Sequence, residues 1–374
     1  MTVSGDGGIL AQFEMVSEVK IVRVRIALAQ IPFTHNPVEC LAAELRLAAV
    51  AAGHLAEIVR IPYRGSSTNG VLDSLLALRL LAFDTSPEDC LVALEYPAHL
   101  VPHPRKVLWL ARGDAPPPAV RNDDGDSRAM GEAISVVRHS LERRACTEAR
   151  RVFAISATLS SQWRKRSGLD AVPLYPPLRL QPASDRPSSE DFILVPAAGG
   201  DRLVRILEAL RRTRQPIALR FLGEGAEARS ALEQCGVLAG LEGRCRWLPG
   251  SSENADLYAR CRAVVAVPLA ETNPEVALLA MWAGKPLITS PDSGALAELV
   301  LHRQTGWVVD AEPAVLAWAM DEAWSRKELS RRLGQAGRAQ YAAMNLDWSR
   351  VVERLLGPFR GEAPGSSEHL QVPS

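Results

Sequence analysis

Asn273, Pro274 and Glu275 have the residue types that start a helix and could bind a phosphate group. Asn caps a helix, Pro fits its first position and Glu suits its first turn. Such a helix start presents unpaired backbone N–H groups and a positive dipole end, and both attract a phosphate or diphosphate. Further along the chain, Gly294 follows Ser293 and would let a second loop approach a ligand closely, although this pair is also compatible with an ordinary turn.

Four further side chains are candidates for chemistry, and each has a plainer alternative. Glu271 precedes the helix start and could contact a ligand, or it is a solvated loop carboxylate. Arg202 lies near the start of a predicted helix and could neutralise a phosphate, or it belongs to a solvated helix face. His103, in a proline-flanked loop, could act in catalysis or be structural, and Arg112, after a predicted strand, could supply a polar contact or belong to an altered loop.

The elements that must position these residues alternate between strands and helices. Apolar, β-branched runs are followed by stretches with helical periodicity, the pattern of parallel sheets covered by helices. The first series has predicted strands at residues 22–31, 91–96, 106–110 and 151–156, and helices at 37–52, 70–82 and 128–150. The second series has strands at 192–196, 217–223, 263–268, 286–290 and 307–309, and helices ending at 210, near 227–235, opening at 274, and at 294–300, 313–325 and 328–344. Such sheets bind ligands at the carboxyl ends of their strands.

The predicted fold class is α/β, with two Rossmann-like, doubly wound domains facing across a cleft. Residues 175–191 are rich in Pro and Ser and are predicted to link the two series. A late helix with apolar residues at 351, 355 and 356 should cross back onto the first domain. The predicted organisation is a flexible N-terminal extension at 1–19, a first domain at 20–180, a second domain at 190–345, the crossing helix at 346–360 and a disordered tail at 361–374.

Composition excludes several classes of protein. The chain has 374 residues, 47% of them hydrophobic, which excludes a disordered or fibrous protein. Its 43 basic residues balance 43 acidic ones, so we expect no nucleic acid partner. The six cysteines are scattered, the start of the chain lacks the pattern of a secretory signal, and no stretch has the length of a membrane span. We therefore expect a cytoplasmic protein.

Residues 268–310 carry a spacing in which many residue types agree with one known signature. It comprises Glu271, Ala280-Met281, Ala283-Gly284-Lys285-Pro286 before a strand, Ser293-Gly294 before Glu298, and Thr305-Gly306. This segment resembles the donor-binding signature of family 4 glycosyltransferases, which are retaining enzymes of the two-domain GT-B architecture. Segments that resemble a branch of the family extend from about Val22 to Leu356, and they include Tyr96-Pro97-Ala98, Val101-Pro102-His103-Pro104, the Gly223-Glu224-Gly225 turn and Asp347-Trp348.

The resemblance implies a nucleotide-diphosphate sugar as donor, bound by the second domain, and an acceptor bound by the first. It assigns Glu271 to the donor sugar, with Arg112 and His103 as further catalytic candidates. The implied donor-binding residues are Asn273, Pro274, Glu275, Ser293, Gly294, Glu298, Arg202 and Gly223. We expect no cofactor and no metal, because helix dipoles and basic residues can neutralise a leaving diphosphate and the histidines have no ligand spacing.

Four departures from the family pattern bear on activity. The second Glu of the signature, which binds the nucleotide ribose, is replaced by Leu279, and Asp201 aligns with a Lys that neutralises donor phosphates. The Gly-Gly turn after the first strand appears as Asn36-Pro37, and a His-rich stretch is replaced around Arg112. Leucine cannot accept hydrogen bonds from a ribose, and Asp is a poor phosphate ligand.

Two classes of function therefore stay open. The first is a retaining glycosyltransferase that moves a sugar from a nucleotide-diphosphate sugar to a small molecule, a glycan or a lipid-linked acceptor. The second is a degenerate GT-B scaffold that acts as a binding or partner subunit of a glycosyltransferase, or one with an unusual donor or coupling reaction. We favour the first because the donor loop is retained. The sequence leaves peripheral contact with a membrane open, and it identifies neither the donor nucleotide nor the oligomeric state.

Overall fold

The N-terminal domain contains a six-stranded parallel sheet. The computed structural model describes residues 22–30, 36–63, 68–81, 89–112, 126–178, 191–196, 200–222, 240–241, 243–248, 254–271 and 273–359. The strands of this domain are β1 (Arg23–Gln30), β2 (Leu55–Pro62), β3 (Asp89–Ala93), β4 (Lys106–Leu110), β5 (Arg151–Ala154) and β6 (Val172–Pro173), in the order β2-β1-β3-β4-β5-β6. Its helices are α1 (Glu39–Ala51), α2 (Thr68–Leu80), α3 (Asp126–Thr147) and α4 (Ala157–Ser167), with a 3-10 turn at Ala98–Leu100.

The C-terminal domain repeats this architecture. Its strands are β7 (Ile193–Pro196), β8 (Leu219–Leu222), β9 (Cys245–Leu248), β10 (Ala263–Val265), β11 (Leu287–Thr289) and β12 (Gly306–Val308), all parallel, in the order β12-β11-β10-β7-β8-β9. Its described helices are α5 (Gly200–Arg212), α6 (Asn254–Arg260), α7 (Glu275–Trp282), α8 (Ala295–Leu299), α9 (Pro313–Ser325) and α10 (Lys327–Met344). The predicted fold class is confirmed.

Both faces of the C-terminal sheet are buried, which explains why its strands read as continuous apolar runs. Side chains of a strand point alternately to opposite faces. In β7, Ile193 and Val195 pack with α5 and α9 on one face, whereas Leu194, together with Phe192 just before the strand, packs with α7 on the other. Helices on both faces leave the ends of the strands as the accessible edges of the sheet.

A last helix, α11 (Trp348–Leu356), packs on the N-terminal domain. Asp347 caps it by accepting hydrogen bonds from the backbone N–H groups of Ser349 and Arg350. Its apolar residues Val351 and Leu355 are buried in the core that β1 and α1 form. The chain thus passes from the N-terminal domain through the C-terminal domain and returns.

Some elements differ from the sequence-based expectations. Strands β2, β6 and β9 and helices α4 and α6 were not predicted. Glu57 and Arg60 interrupt the apolar pattern of β2, which an edge strand tolerates because one side of it faces solvent. The predicted helix at 227–235 lies outside the described residues, as do 179–190 of the predicted linker, the extension at 1–19 and the tail at 361–374. None of the helices in the described parts of the chain is long and apolar enough to cross a membrane.

Candidate functional site

A cleft of about 390 Å³ opens at the carboxyl ends of β7 and β10. Pro196 ends β7, and the segment from Ala266 to Leu269 follows β10. The remaining described lining residues come from α5, from the start of α7 and from α8: Arg202, Ile206, Glu271, Asn273, Glu275, Val276 and Leu296. This is the edge at which parallel sheets bind ligands, and four of the predicted site residues meet there.

The loop before α7 and the loop before α8 are hydrogen-bonded to each other. The backbone N–H of Ala270 donates to the carbonyl of Asp292 at 2.8 Å, and that of Ala295 donates to the carbonyl of Glu271 at 2.8 Å. Gly294 has a φ of +60°, and a Cβ at this position would lie 2.2 Å from the Glu271 carbonyl oxygen. The sequence predicted that the absence of a side chain at Gly294 would allow close approach to a ligand. In the structure, the group that lies close to Gly294 is the backbone of the neighbouring loop at Glu271.

The start of α7 is occupied by side chains of its own loop. Pro274, not Asn273, is the N-cap residue, so the helix begins one position later than expected, and Asn273 precedes the cap. The Asn273 Oδ1 accepts from the backbone N–H of Glu275 at 3.0 Å, and Glu271 Oε1 accepts from that of Asn273 at 2.8 Å. Two of the backbone N–H groups predicted to attract phosphate thus have acceptors already, and an incoming anion must exchange with them.

Arg202 carries the positive charge among the described lining residues, and Asp292 holds it. One guanidinium nitrogen of Arg202 is 2.5 Å from Asp292 Oδ2, and the Ser290 hydroxyl donates to Asp292 Oδ1 at 2.7 Å. The Arg202 and Ser290 hydrogen bonds keep the pKa of the Asp292 carboxyl below its usual range. Asp292 was missed by sequence reasoning, although a polar residue just after a strand end is a usable signal.

Asp201, the residue aligned with the Lys of the family, is directed away from the cleft. Its carboxylate is 73% exposed and bonds Arg205 at 2.8 Å on the outer side of α5. On this helix Arg202, and not Asp201, is among the described residues that line the cleft. Leu279 is half-buried and packs against the C-terminal core.

The side chains of Ser293 and Glu298 form hydrogen bonds with other residues of the protein. Ser293 is fully buried, with its Oγ 2.7 Å from that of Ser290. The Glu298 carboxylate accepts hydrogen bonds from Thr158 and Tyr175, outside the C-terminal sheet. Desolvation of the buried Tyr175 ring, together with the adjacent Glu298, raises the pKa of its hydroxyl. Neither side chain is among the described residues that line the cleft.

Arg112 lies at the carboxyl edge of the N-terminal sheet, just after β4. Its guanidinium is 4.0 Å from the carboxylate of Glu95, which is 5% exposed and follows β3. Glu95 also accepts from the backbone N–H of Ala29 at 3.2 Å and from the side chain of Asn36. The Asn36 side chain, at the position compared with the family's Gly-Gly turn, thus bonds both the Ala29 carbonyl of β1 and Glu95. Glu95 was not predicted, although it too follows a strand end.

The structure does not bring His103 to that edge. His103 precedes β4 and so lies at the amino end of the sheet, and its Nδ1 is 3.1 Å from the Arg105 backbone nitrogen. Burial lowers the pKa of this imidazole. Gly223 lies outside the described residues. Within the described part of the chain, no three His, Cys, Asp or Glu side chains are grouped so that they could hold a metal ion.

Comparisons with known proteins bear on this site. Residues 193–340, which contain the cleft, match the family described as Glycosyl transferases group 1. A GDP-mannose-dependent alpha-(1-6)-phosphatidylinositol monomannoside mannosyltransferase of Mycobacterium tuberculosis is 32% identical over 178 residues. That match covers 45% of this chain and 46% of the relative, so the chain spans about half the length of the curated relatives it matches.

Solved structures share the architecture at low sequence identity. A glycosyltransferase from Rickettsia africae ESF-5 superposes with a TM-score of 0.66 at 14% identity, over 92% of this chain and all of that one (100%). Anabaena Alr3699/HepE, solved in complex with UDP and glucose, gives 0.63 at 15% identity, over 90% of this chain and 98% of that one. At these identities the likeness shows the fold.

Proposed function

We propose that the chain is a glycosyltransferase with a nucleotide-diphosphate sugar as donor, because it has the GT-B fold and its residues 193–340 match the group 1 glycosyl transferases. The observation that carries the proposal is the cleft at the carboxyl ends of β7 and β10, inside the segment that matches the family. Two similar proteins support the donor class by their descriptions, one GDP-mannose-dependent and the other bound to UDP and glucose.

The residues of the cleft have separable roles in this proposal. Arg202 faces the diphosphate and neutralises the charge that develops on it as the sugar leaves. Glu271 lies at the mouth of the same cleft, where its carboxylate can accept hydrogen bonds from sugar hydroxyls. Retention of the anomeric configuration follows the family pattern. No metal or cofactor is part of the proposed reaction.

The acceptor would lie against the N-terminal domain. Arg112 is about half exposed at the carboxyl edge of that sheet and is oriented by the buried Glu95. An acceptor that enters the cleft would meet this guanidinium, whether it is a small molecule, a glycan or a lipid-linked compound. The phosphatidylinositol monomannoside in the description of the mycobacterial relative supports the lipid-linked class.

A second candidate is a donor-binding scaffold that no longer transfers sugar. It is favoured by Leu279, which cannot bond a ribose, and by the carboxylates of Glu271, Glu275 and Asp292 around one arginine. A scaffold of this kind would act as a partner subunit of an active glycosyltransferase. Binding of a nucleotide sugar together with measurable transfer or hydrolysis distinguishes the enzyme from the scaffold.

Calorimetric titration with UDP-glucose and GDP-mannose tests the donor site. Arg202→Gln should weaken binding of the accepted donor by about tenfold or more, because it removes a charge-assisted contact to phosphate. Arg205→Gln is the matched control, since Arg205 lies on the same helix but pairs with the outward Asp201. Equal affinities in the two variants would remove Arg202 from the site, and no binding by the unaltered protein would contradict the donor assignment.

A further inference from the structure

Glu298 of the C-terminal domain completes the N-terminus of α4 in the N-terminal domain. The first backbone N–H groups of a helix have no partner within it. In α4 those of Ala157 and Thr158 donate to the two carboxylate oxygens of Glu298, at 3.1 and 2.5 Å. The next one, of Leu159, donates to the Ser156 hydroxyl at 3.1 Å. The helix therefore takes one cap from its own domain and one from the other.

Two side chains add to the same carboxylate. The Thr158 hydroxyl donates to Glu298 Oε2 at 2.5 Å, and the Tyr175 hydroxyl donates to Oε1 at 2.7 Å. Tyr175 begins the segment that leads from one domain to the other, and its ring is buried in the core of the C-terminal domain. One carboxylate thus joins the N-terminal helix, the connecting segment and the C-terminal helix α8.

The location of this contact relates it to the cleft. Helix α4 follows the carboxyl end of β5, and α8 follows that of β11, so the contact joins the ligand-binding edges of the two sheets. On α8, Leu296 lines the cleft, and Ala295 is bonded to the Glu271 carbonyl at 2.8 Å. A movement of Glu298 relative to α4 would therefore displace one wall of the cleft.

We propose that Glu298 is a positioning residue that fixes the loop at residues 290–295 and helix α8 against α4 of the other domain. The carboxylate is favoured there because the N-terminus of α4 has a positive dipole end and free donors. Removing it leaves two backbone N–H groups and two hydroxyls without this acceptor. As a part of the proposed transfer reaction, this contact holds the N-terminal domain in position over the bound donor.

Hydrogen exchange on the full chain tests the contact itself. In Glu298→Ala the amides of Ala157 and Thr158 should exchange about tenfold faster or more, while the strands of both sheets keep their protection. Ser156→Ala is the matched control, because it removes the other cap of the same helix and should expose Leu159 instead. Glu298→Gln retains one acceptor oxygen and should give an intermediate rate. Unchanged exchange at Ala157 and Thr158 in Glu298→Ala would overturn the proposal.

Kinetics separate positioning from a structural role. Using the donor that the unaltered protein accepts, Glu298→Ala should bind free UDP or GDP within about twofold of it, while turnover falls by about tenfold. Glu298→Gln should recover part of the turnover, and Ser156→Ala should keep it. Equal losses in Glu298→Ala and Ser156→Ala would overturn the positioning role. If the unaltered protein binds no nucleotide but Glu298→Ala still exposes the two amides, the proposed function fails and the contact between domains stands.

Discussion

Single residues determine the charge of the cleft, and Asp292 is the most consequential of them. The Asp292 side chain is 49% exposed and lies on Arg202, the cation that would meet a donor phosphate. A phosphate must therefore compete with a carboxylate that is permanently attached to the protein. The backbone carbonyl of Asp292 accepts a hydrogen bond from the backbone N–H of Ala270, and a substitution of the Asp292 side chain leaves this contact in place.

Asp292→Asn should tighten binding of UDP or GDP by about three- to tenfold. The substitution removes a negative charge from the cleft and releases the Arg202 guanidinium, and both changes favour a diphosphate. Titration calorimetry measures the effect. Asp256→Asn is the control, because Asp256 is also 49% exposed and paired with an arginine, Arg260, on α6. Equal or weaker nucleotide binding in Asp292→Asn would show that Asp292 does not compete with the ligand.

At the scale of elements, α7 is held in position by a close approach of α10. A Cβ at Gly334 would lie 1.9 Å from the carbonyl oxygen of Gly284, two residues after the end of α7. Three residues further along α10, a Cβ at Gly337 would be 3.7 Å from its nearest neighbours, which is ordinary contact. The two glycines of one helix therefore have different roles.

Gly334→Ala should lower the free energy of unfolding by about 1–3 kcal/mol, because the added methyl group forces α10 away from α7. Gly337→Ala should be neutral or stabilising by about 0.5–1 kcal/mol, because alanine is the better helix former and the space exists. Denaturant unfolding of both variants measures the difference. Similar stabilities would mean that the approach at Gly334 is not close in solution.

A partly buried ion cluster joins three elements of the N-terminal domain. The Lys106 side chain on β4 is fully buried, and its ammonium is 3.3 Å from Glu148, after α3. Arg79 on α2 bonds the same carboxylate at 2.6 Å. These contacts lower the pKa of Glu148 from 4.5 to about 2, and the hydrogen bond from Arg79 has the largest effect. Burial lowers the pKa of Lys106.

The depressed pKa of Glu148 predicts a dependence of stability on pH. Between about pH 4.5 and 2 the unfolded chain binds a proton at Glu148 that the folded chain does not, so the stabilisation is complete above that window and is lost as the pH falls through it. Glu148→Gln should lower the melting temperature at pH 7 and flatten its decline in that window. Lys106→Met should destabilise less, since it removes the buried charge along with its need for a partner. Parallel melting curves for the unaltered protein and Glu148→Gln would contradict the assignment.

At the scale of the whole molecule, the end of the described chain stabilises its beginning. Helix α11 follows the C-terminal domain in sequence, but Leu355 packs with Val24, Leu45 and Val92 of the N-terminal domain. In sequence, the C-terminal domain therefore lies between two segments, the N-terminal domain and α11, that share the N-terminal core. This connection supplements the contact at Glu298 in holding the domains together.

Leu355→Ala should destabilise the N-terminal domain by about 2–5 kcal/mol, because it leaves a cavity among residues that are almost fully buried. Hydrogen exchange should increase in β1 and α1 and stay unchanged in β7 and β10. Leu355→Met, which conserves volume, should cost less than about 1.5 kcal/mol. A loss of protection confined to the C-terminal domain would contradict the packing described for α11.

The sequence by itself determined the fold class and the family resemblance, and both are confirmed. Apart from β9 and α6, the described strands and helices of the C-terminal domain were predicted to within a few residues, because hydrophobic periodicity is a local property of the chain. The edge strands β2, β6 and β9 were not predicted, because solvent on one side weakens the periodicity of β2 and β9 and because β6 has only two residues. Residues 268–310, which supply most of the described lining of the cleft, were also recognisable, since they form one continuous segment of the sequence.

Only the tertiary structure decided which partners these residues have. Arg202 bonds Asp292, 90 positions away, and Glu298 bonds Thr158, 140 positions away. A helix start at Asn273 predicts backbone N–H groups without a partner in the helix. Whether the Glu271 carboxylate accepts a hydrogen bond from one of them depends on the conformation of the loop that carries Glu271. Local patterns fix which face of an element is buried. The pairing of two polar side chains depends on where the folded chain brings distant segments together, and a local sequence pattern contains no information about which distant segments meet.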